Sequence, residues 1–301
     1  MNMKRKVFTG VLVTAVLVFL FLPLRSWSQN MGPIVATGWL ESNLSRPGLV
    51  ILDVRRVEDY RNGHIPGAIN LFYRAWAFKK NHLYAEIPDQ DDLFEMIGSA
   101  GIRPDTWVVV VGSTKNLQEQ VHGARVACTL KFAGVKTVAI LDGGFDKWVL
   151  ELRKTSMIIP KAKSTIFKGN IRETLFADKE YVLSHWGEIT LLDVREKEYY
   201  SGEKKLDCVE KAGRIPGALN LPTSWAFTAA GTFLERKPLI ALAESVVGRD
   251  RNRGIVTYCD TGQCCPTWAL LLKEVLGYQQ VRIYDGGLQE WMSDPNVPQK
   301  E

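Results

Sequence analysis

Residues 49–71 read LVILDVRRVEDYRNGHIPGAINL, and residues 190–221 read TLLDVREKEYYSGEKKLDCVEKAGRIPGALNL. Each stretch begins with an apolar run that ends in Asp-Val-Arg. Each continues to Gly-(His/Arg)-Ile-Pro-Gly-Ala and then to a Trp-Ala-Phe tripeptide. The second stretch also carries a polar insertion around residues 203–211, which includes Cys208. Because such self-similarity marks a repeated structural unit, the sequence predicts that one fold occurs twice in the chain.

The similarity extends into an ordered series of strand-like and helix-like segments. Two β-branched runs, TWVVVVGS at 106–113 and GIVTYCDT at 254–261, are each followed by a helical pattern that ends at a glycine. A second short strand, an Asp-Gly-Gly segment and a later tryptophan close each copy. Strands that alternate with helices predict an α/β fold in which parallel strands form a sheet flanked by helices.

The repeat divides the chain into two α/β domains, residues 29–153 and residues 170–301. Between them, residues 154–169 are polar and irregular and contain Pro160, so we predict a linker there. The chain of 301 residues is long enough for each domain to bury a core of its own.

Residues 1–28 have the pattern of an export signal peptide. A cationic start is followed by an unbroken apolar run at residues 7–22, and Ser26 and Ser28 are the small residues that predict cleavage before Gln29. The run is shorter than the ~20 residues that span a bilayer comfortably, and an uncleaved membrane anchor is the alternative. Either outcome predicts a globular part that is periplasmic or otherwise exported.

The formal net charge of +5 is concentrated in this N-terminal segment, whose four basic and no acidic residues leave +1 for the rest of the chain. No basic stripe interleaved with aromatic residues occurs, so nucleic acid is not an expected partner. We expect membrane contact only through an uncleaved N-terminal segment, and we expect a monomer.

The segment VTYCDTGQCC at 256–265 adds a loop headed by a cysteine. Together with the paired Asp-x-Arg, Gly-x-Ile-Pro-Gly-Ala and Asp-Gly-Gly segments, this loop makes the chain resemble a tandem rhodanese-like sulfurtransferase of the thiosulfate and 3-mercaptopyruvate type. The resemblance covers nearly everything after the export signal. It implies two rhodanese-like domains, the first non-catalytic and the second catalytic. The first copy has Gly-Ser-Thr-Lys at 112–115 in place of the cysteine loop, so we expect it to complete the cleft and stabilise the second domain.

Three of the five cysteines lie in this one loop region. The odd total leaves at least one thiol free, and no Cys-x-x-Cys pair occurs. The four histidines are remote from the cluster in sequence, so neither a metal nor a cofactor is expected. Cys259 follows a predicted strand, at the sheet edge where open α/β folds place ligands. A loop that turns at Gly262 can aim backbone N–H groups inward, and the next helix adds positive potential, which favours a thiolate.

The resemblance selects Cys259 as the nucleophile, because rhodanese active loops begin with the reactive cysteine and run six residues. Cys264, at the last loop position, either lines the cavity or pairs with Cys259 on oxidation. The other thiols have other expected environments. Cys265 and Cys128 are predicted to be buried packing residues, and Cys208 is predicted to be a solvated thiol.

The backbone N–H groups that follow Cys259 are predicted to stabilise charge on a bound or transferred sulfur. The predicted substrate-binding positions of the loop are Asp260, Thr261, Gly262, Gln263 and Cys264. Arg195 resembles an arginine that helps to hold the anionic donor in tandem family members. The alternative for Arg195 is a salt bridge at the Asp193 turn, since Arg55 repeats this pattern in the first copy, which has no cysteine at the position matching Cys259.

The resemblance implies an enzyme that moves sulfane sulfur from thiosulfate or mercaptopyruvate, through a Cys259 persulfide, to a thiol or cyanide. Asp260 fits neither familiar donor, since a carboxylate beside the nucleophile repels a dianion. A persulfide carrier or redox-responsive thiol protein without efficient turnover is the rival function, and a structural or peptide-binding domain is a third. Dual-specificity phosphatases of the cell-cycle type resemble this scaffold, but their loop closes with an arginine where this chain has Cys265.

Overall fold

The computed structural model describes residues 31–298, and the export signal predicted at residues 1–28 lies outside them. Within residues 31–298, no helix is both long and apolar enough to cross a membrane. Two five-stranded parallel sheets form the framework of this part of the chain. The predicted α/β architecture of two similar units is therefore confirmed.

The first unit is a parallel sheet flanked by helices, with a separate two-stranded hairpin. Its strands are β1 (Ile34–Val35), β2 (Leu49–Asp53), β3 (Ile69–Asn70), β4 (Phe78–Lys80), β5 (Leu83–Glu86), β6 (Trp107–Val111) and β7 (Thr137–Leu141). Its helices are α1 (Thr37–Asn43), α2 (Val57–Arg61), α3 (Gln90–Ser99), α4 (Leu117–Gln120), α5 (His122–Phe132) and α6 (Gly144–Leu150). The sheet order is β1-β7-β6-β2-β3, and β4 pairs with β5 as an antiparallel hairpin.

The second unit repeats this arrangement without the hairpin. Its strands are β8 (Phe176–Ala177), β9 (Thr190–Asp193), β10 (Leu219–Asn220), β11 (Ile255–Tyr258) and β12 (Val281–Tyr284). Its helices are α7 (Lys179–Ser184), α8 (Lys197–Ser201), α9 (Arg236–Val247), α10 (Cys265–Leu270) and α11 (Gly287–Ser293). The sheet order β8-β12-β11-β9-β10 is the order of the first sheet, strand for strand.

The register of the central strands explains why the Asp-Val-Arg segments recur. In the first sheet Asp53, at the end of β2, lies opposite Val111 at the end of β6. In the second sheet Asp193, at the end of β9, lies opposite Tyr258 at the end of β11. Both central strands are apolar and buried, as the core of a parallel sheet requires. Each Asp-Val-Arg turn is thereby placed beside the loop that follows the neighbouring strand.

The two predicted helices end close to the predicted glycines. Helix α5 ends at Phe132, and α10 continues through a π-helical segment, Leu271–Val275. Gly134 and Gly277 then adopt left-handed backbone conformations, with φ of 102° and 82°. At Gly134 a Cβ atom would come within 2.8 Å of the backbone of Asn170, so a side chain does not fit there.

One hydrophobic core runs through both units. Helix α5 of the first unit packs on α10 of the second, and the Phe132 and Phe176 rings meet edge to face across the boundary, 5.0 Å apart. Cys128 is buried in this contact, with its Sγ 3.7 Å from the carbonyl oxygen of Pro266, which confirms its predicted packing role. Because a close-packed core resists relative movement, helix α5 is held in a defined position next to the cysteine loop.

Residues 154–169 join the units without forming a helix or a strand, apart from a single bridge between Ser156 and His64. The segment lies against the first unit. The Thr165 N–H donates to the carbonyl oxygen of Gly98 at 2.9 Å, and Phe167 is buried beside the Phe94 ring.

Candidate active site

The cysteine loop occupies residues 259–264, between the end of β11 and the start of α10. Pro266 lies in the first turn of α10, as predicted, where its missing N–H is not needed. The Leu288 N–H at the start of α11 donates to the carbonyl oxygen of Cys259 at 2.8 Å. Gly262 has a φ of 72°, and a Cβ atom there would lie 2.4 Å from the carbonyl oxygen of Asp285. The loop is therefore closely packed against the Asp-Gly-Gly segment, which explains why it turns at a glycine.

The three clustered cysteines have different states. Burial opposes ionisation of Cys259, but hydrogen bonds from the thiols and backbone N–H groups of Cys264 and Cys265 outweigh it and hold the pKa of Cys259 well below its ordinary value. The Cys264 N–H lies 3.4 Å from the Cys259 Sγ. Donation to Cys259, followed by burial, raises the pKa of Cys264, while burial above all raises the pKa of Cys265. Of the three thiols, Cys259 is therefore the one whose ionisation the loop favours, while the loop disfavours ionisation of Cys264 and Cys265.

Arg195 belongs to a buried ion-pair network and does not line the cleft described below. Its Nε and Nη2 donate to the Asp193 carboxylate at 2.6–3.1 Å, and Nη2 also donates to the carbonyl oxygen of Gly213 at 2.7 Å. Nη1 donates to Oδ1 of Asp260 at 3.0 Å. Arg55 makes the equivalent contacts with Asp53 in the first unit. The geometry therefore supports the salt-bridge alternative for Arg195 over direct binding of an anionic donor.

Asp260 points into this network and is only 8% exposed. Burial raises the pKa of Asp260 to about 6, with the Cys259 thiolate adding to the effect and Arg195 opposing it. Among the predicted substrate-binding positions, Thr261 and Gln263 line the cleft, whereas Asp260, Gly262 and Cys264 do not.

The cleft lies between the two units and has a volume of about 1130 Å³. Most of its lining comes from the first unit, and the second contributes Thr261, Gln263 and residues 206–208. Cys208 is half-buried there and packs beside the core of the second unit, so it is less exposed than a fully solvated thiol. Burial, with a contribution from the charge of Asp260, raises the pKa of Cys208. The polar insertion therefore contributes part of the cleft wall.

Arg125, in helix α5 of the first unit, holds the cysteine loop from the other side. Its side chain is completely buried, and its Nη1 donates to the carbonyl oxygen of Gly262 at 3.1 Å. Its Nη2 donates to the carbonyl oxygen of Ala85 at 2.6 Å, and both terminal nitrogens bind the Asp285 carboxylate. One guanidinium thus joins the β4–β5 hairpin, the loop and the Asp-Gly-Gly segment.

Two aromatic residues of the first unit extend this contact. Burial lowers the pKa of His122 to about 4, so its ring is neutral, and its Nε2 accepts from the Gln263 amide at 3.1 Å. The Tyr73 ring stacks on His122, with centroids 3.5 Å apart. Tyr73, His122 and Arg125 were not predicted from the sequence as site residues. Of the three, only Arg125 had a feature that could have identified it from the sequence. It is a charged residue among the small and apolar residues of a helix that was expected to be buried.

The chain matches a known protein family over most of its length. The family described as Rhodanese-like domain matches residues 36–151 and residues 177–294. The chain therefore belongs to the rhodanese-like family, with two domains in tandem.

Several curated relatives span nearly the whole chain. The chain is 31% identical over 296 residues to a protein named Thiosulfate sulfurtransferase from Corynebacterium glutamicum, covering 92% of this chain and 94% of that protein. It is 30% identical over 282 residues to Sulfur carrier protein TtuD from Thermus thermophilus, covering 88% and 95%. These relatives confirm the predicted class, a sulfurtransferase built from tandem rhodanese-like domains.

Solved structures share the fold. The wild-type structure of EanB superposes with a TM-score of 0.78 at 22% identity, covering 89% of this chain and 69% of that chain. The crystal structure of YnjE gives a TM-score of 0.77 at 23% identity, covering 88% and 67%.

Proposed function

We propose that the second domain transfers sulfane sulfur through a persulfide on Cys259. The observation that carries this proposal is the thiol triad, the three neighbouring thiols of Cys259, Cys264 and Cys265. The Cys259 sulfur accepts hydrogen bonds from both neighbouring cysteines, which favours the nucleophilic thiolate although the residue is only 2% exposed. The thiolate attacks the sulfane sulfur of the donor, and the bond between that sulfur and the rest of the donor breaks. The leaving group takes the electron pair, and an acceptor thiol or cyanide then removes the outer sulfur.

Thiosulfate is the donor that we propose first. In the sequence, Asp260 next to Cys259 disfavours a dianionic donor such as thiosulfate, because the carboxylate repels it. The contact between Arg195 and Asp260 at 3.0 Å offsets that charge, which weakens the objection. The relative from Corynebacterium glutamicum, named a thiosulfate sulfurtransferase, supports the same choice. Mercaptopyruvate is the alternative donor.

A sulfur carrier without efficient turnover is the second candidate. The relative from Thermus thermophilus that is named a sulfur carrier protein favours it, as does the deep burial of Cys259. The two candidates differ in the acceptor step. An enzyme passes sulfur to cyanide or a small thiol in many cycles, whereas a carrier retains the persulfide until a specific partner arrives.

Intact mass spectrometry tests the proposal. After exposure to thiosulfate, the protein should gain one sulfur atom, and cyanide should remove it. Cys259→Ser should gain none, while Cys128→Ser, which alters a thiol buried between the helices, should behave like wild type. Repeated turnover with cyanide would support the enzyme, and one sulfur per chain with no turnover would support the carrier. A full gain of sulfur by Cys259→Ser would overturn the mechanism.

We also propose that the protein is exported, on the pattern of residues 1–28. N-terminal sequencing of protein from a cell-envelope fraction should begin at or near Gln29. Recovery of the full-length chain from the cytosol would contradict export.

A further inference from the structure

The hydroxyl group of Tyr73 is a buried donor with an unusual environment. Tyr73 begins a short 3-10 helix, Tyr73–Ala75, and its N–H donates to the carbonyl oxygen of Val54 at 3.0 Å, which fixes the backbone. Its side chain is 6% exposed, and the His122 ring lies parallel to it. Within residues 31–298, the Tyr73 hydroxyl has no hydrogen-bond partner.

Tyr73 belongs to the first unit, but its side chain lines a cleft that residues of the second unit also line. Tyr73 and His122 line the cleft together with Thr261 and Gln263 of the cysteine loop. His122 contacts Gln263 directly, so the Tyr73 ring lies one side chain away from the loop. The charge of Cys259 acts on the Tyr73 hydroxyl, as do those of Arg125 and Asp285. Tyr73 therefore lines the cleft close enough to the cysteine loop for the charge of Cys259 to act on its hydroxyl group.

The chemistry of the hydroxyl suits it to bind an anion. Burial raises the pKa of Tyr73 far above the ordinary value, so the group remains a neutral O–H donor at all physiological pH values. An unpaired buried donor costs free energy. A ligand that accepts a hydrogen bond from the Tyr73 hydroxyl would recover that cost. The Arg125 Nε, close by, is a second buried donor without a partner among the described residues. Of these two donors, only Tyr73 belongs to a residue that lines the cleft, so the Tyr73 hydroxyl is the one that an anion in the cleft can reach.

We propose that the Tyr73 hydroxyl donates a hydrogen bond to the outer sulfur of the Cys259 persulfide, so that the first domain, which has no cysteine at the position matching Cys259, supplies a catalytic group. This assignment rests on the proposed sulfur transfer. When thiosulfate loads the enzyme, the new S–S bond forms at Cys259 and sulfite leaves with the electron pair of the broken bond. The outer sulfur then carries the negative charge. The Tyr73 proton remains on its oxygen throughout and stabilises that charge.

The test uses the equilibrium between thiosulfate and sulfite, because it reports the stability of the persulfide independently of rate. Wild type and Tyr73→Phe are incubated with mixtures of the two anions, and the loaded fraction is read by intact mass. The ratio of thiosulfate to sulfite needed for half-loading should rise about tenfold or more in Tyr73→Phe, as expected for the loss of one hydrogen bond to a charged group.

Thermal stability separates this role from a structural one. Tyr73→Phe removes an unpaired hydroxyl, so its Tm should equal or exceed that of wild type. Tyr60→Phe is the matched control, because the Tyr60 hydroxyl donates to the carbonyl oxygen of Ala68 at 2.7 Å within the first unit. Tyr60→Phe should have a lower Tm and an unchanged half-loading ratio.

The possible results distinguish the role of Tyr73 from the proposed sulfur transfer. An unchanged half-loading ratio in Tyr73→Phe, with normal loading of wild type, would overturn the role of Tyr73 and leave the proposed function standing. A Tm of Tyr73→Phe as low as that of Tyr60→Phe would show that the hydroxyl has a structural partner and would also overturn it. No sulfur gain by wild type would overturn the proposed function itself, and the assignment of Tyr73 with it.

Discussion

Arg125 of the first domain donates a hydrogen bond to the carbonyl oxygen of Gly262, in the cysteine loop of the second domain, at 3.1 Å. This contact gives a domain without a reactive cysteine a physical function. The same guanidinium binds Asp285, whose carbonyl oxygen packs against Gly262, so the loop is held from two sides. The position of the cysteine loop therefore depends on contacts from both domains.

Replacement of Arg125 tests this coupling. Arg125→Gln leaves Asp285 without its cationic partner in a largely buried site, which should cost about 3–5 kcal/mol of unfolding free energy and reduce sulfur loading at Cys259. Lys131→Gln is the control, since Lys131 on the same helix pairs with Glu274 across the same boundary, at 3.3 Å. Its loss should cost less than about 1 kcal/mol. Urea unfolding measures both, and equal effects of the two substitutions would contradict the special role of Arg125.

The thiol triad predicts how the neighbouring cysteines control reactivity. Cys264→Ala removes a thiol donor to Cys259, so the pKa of Cys259 should rise and its alkylation by iodoacetamide at pH 7 should slow about tenfold. Cys264→Ser retains a donor and should slow it less. Cys128→Ala is the control and should leave the rate unchanged. Peptide mass mapping assigns the alkylated residue, and equal rates for Cys264→Ala and wild type would argue against the triad.

Asp260 predicts a donor preference that depends on pH. Arginine at this position would face Arg195, so asparagine is the cleaner replacement. Two unit charges 8 Å apart interact by about 2 kcal/mol at an effective dielectric constant near 20, and Arg195 offsets part of this. Asp260→Asn should therefore lower the KM for thiosulfate severalfold, and the KM for the monoanion mercaptopyruvate less.

The pH dependence of that effect has a defined sign. The pKa of Asp260 is about 6, so its carboxylate is charged at pH 8 and mostly protonated at pH 5. The advantage of Asp260→Asn on thiosulfate should consequently be large at pH 8 and small at pH 5. Parallel kinetics on both donors at the two pH values measure it, and a benefit that is independent of pH would remove Asp260 from the account of specificity.

Glu86, at the end of the β4–β5 hairpin, predicts a pH-dependent stability. Burial and the nearby Asp285 charge raise its pKa to about 7, against an ordinary value of 4.5. The folded state therefore holds the proton more tightly than the unfolded state does. This contribution to stability is fully present below about pH 4.5 and is lost as the pH rises through about 7.

Glu86→Gln should remove that loss. The variant should be more stable than wild type at pH 8 by an amount on the order of 1 kcal/mol, after allowance for partial exposure, and should show no advantage at pH 5. Urea unfolding at both pH values is the measurement, and Glu95→Gln, on the exposed face of α3, is the control. A constant difference between Glu86→Gln and wild type across this range would contradict the prediction.

Local sequence was sufficient for the fold and for the prediction that Cys259 is the nucleophile. The repeated strand, turn and helix patterns each extend over fewer than about 15 residues, and their order alone implies two parallel sheets. Cys259 could be selected because it follows a strand and precedes a helix that begins near a proline, and because the family resemblance places the reactive cysteine first in a six-residue loop. Cys128 and Cys265 could be assigned to the core because their neighbours form apolar helices.

The tertiary structure decided the contacts that join distant parts of the chain. Arg125 and Gly262 are 137 positions apart, and His122 and Gln263 are 141 apart, so no local pattern relates them. They meet because the shared core presses helix α5 against α10. From the sequence, Arg195 could either bind the anionic donor or form a salt bridge with Asp193. The packing of parallel strand ends, which brings Asp193, Asp260 and Gly213 to one guanidinium, selected the ion pair, since side-chain donors that are already paired in a buried network are not free to bind a substrate.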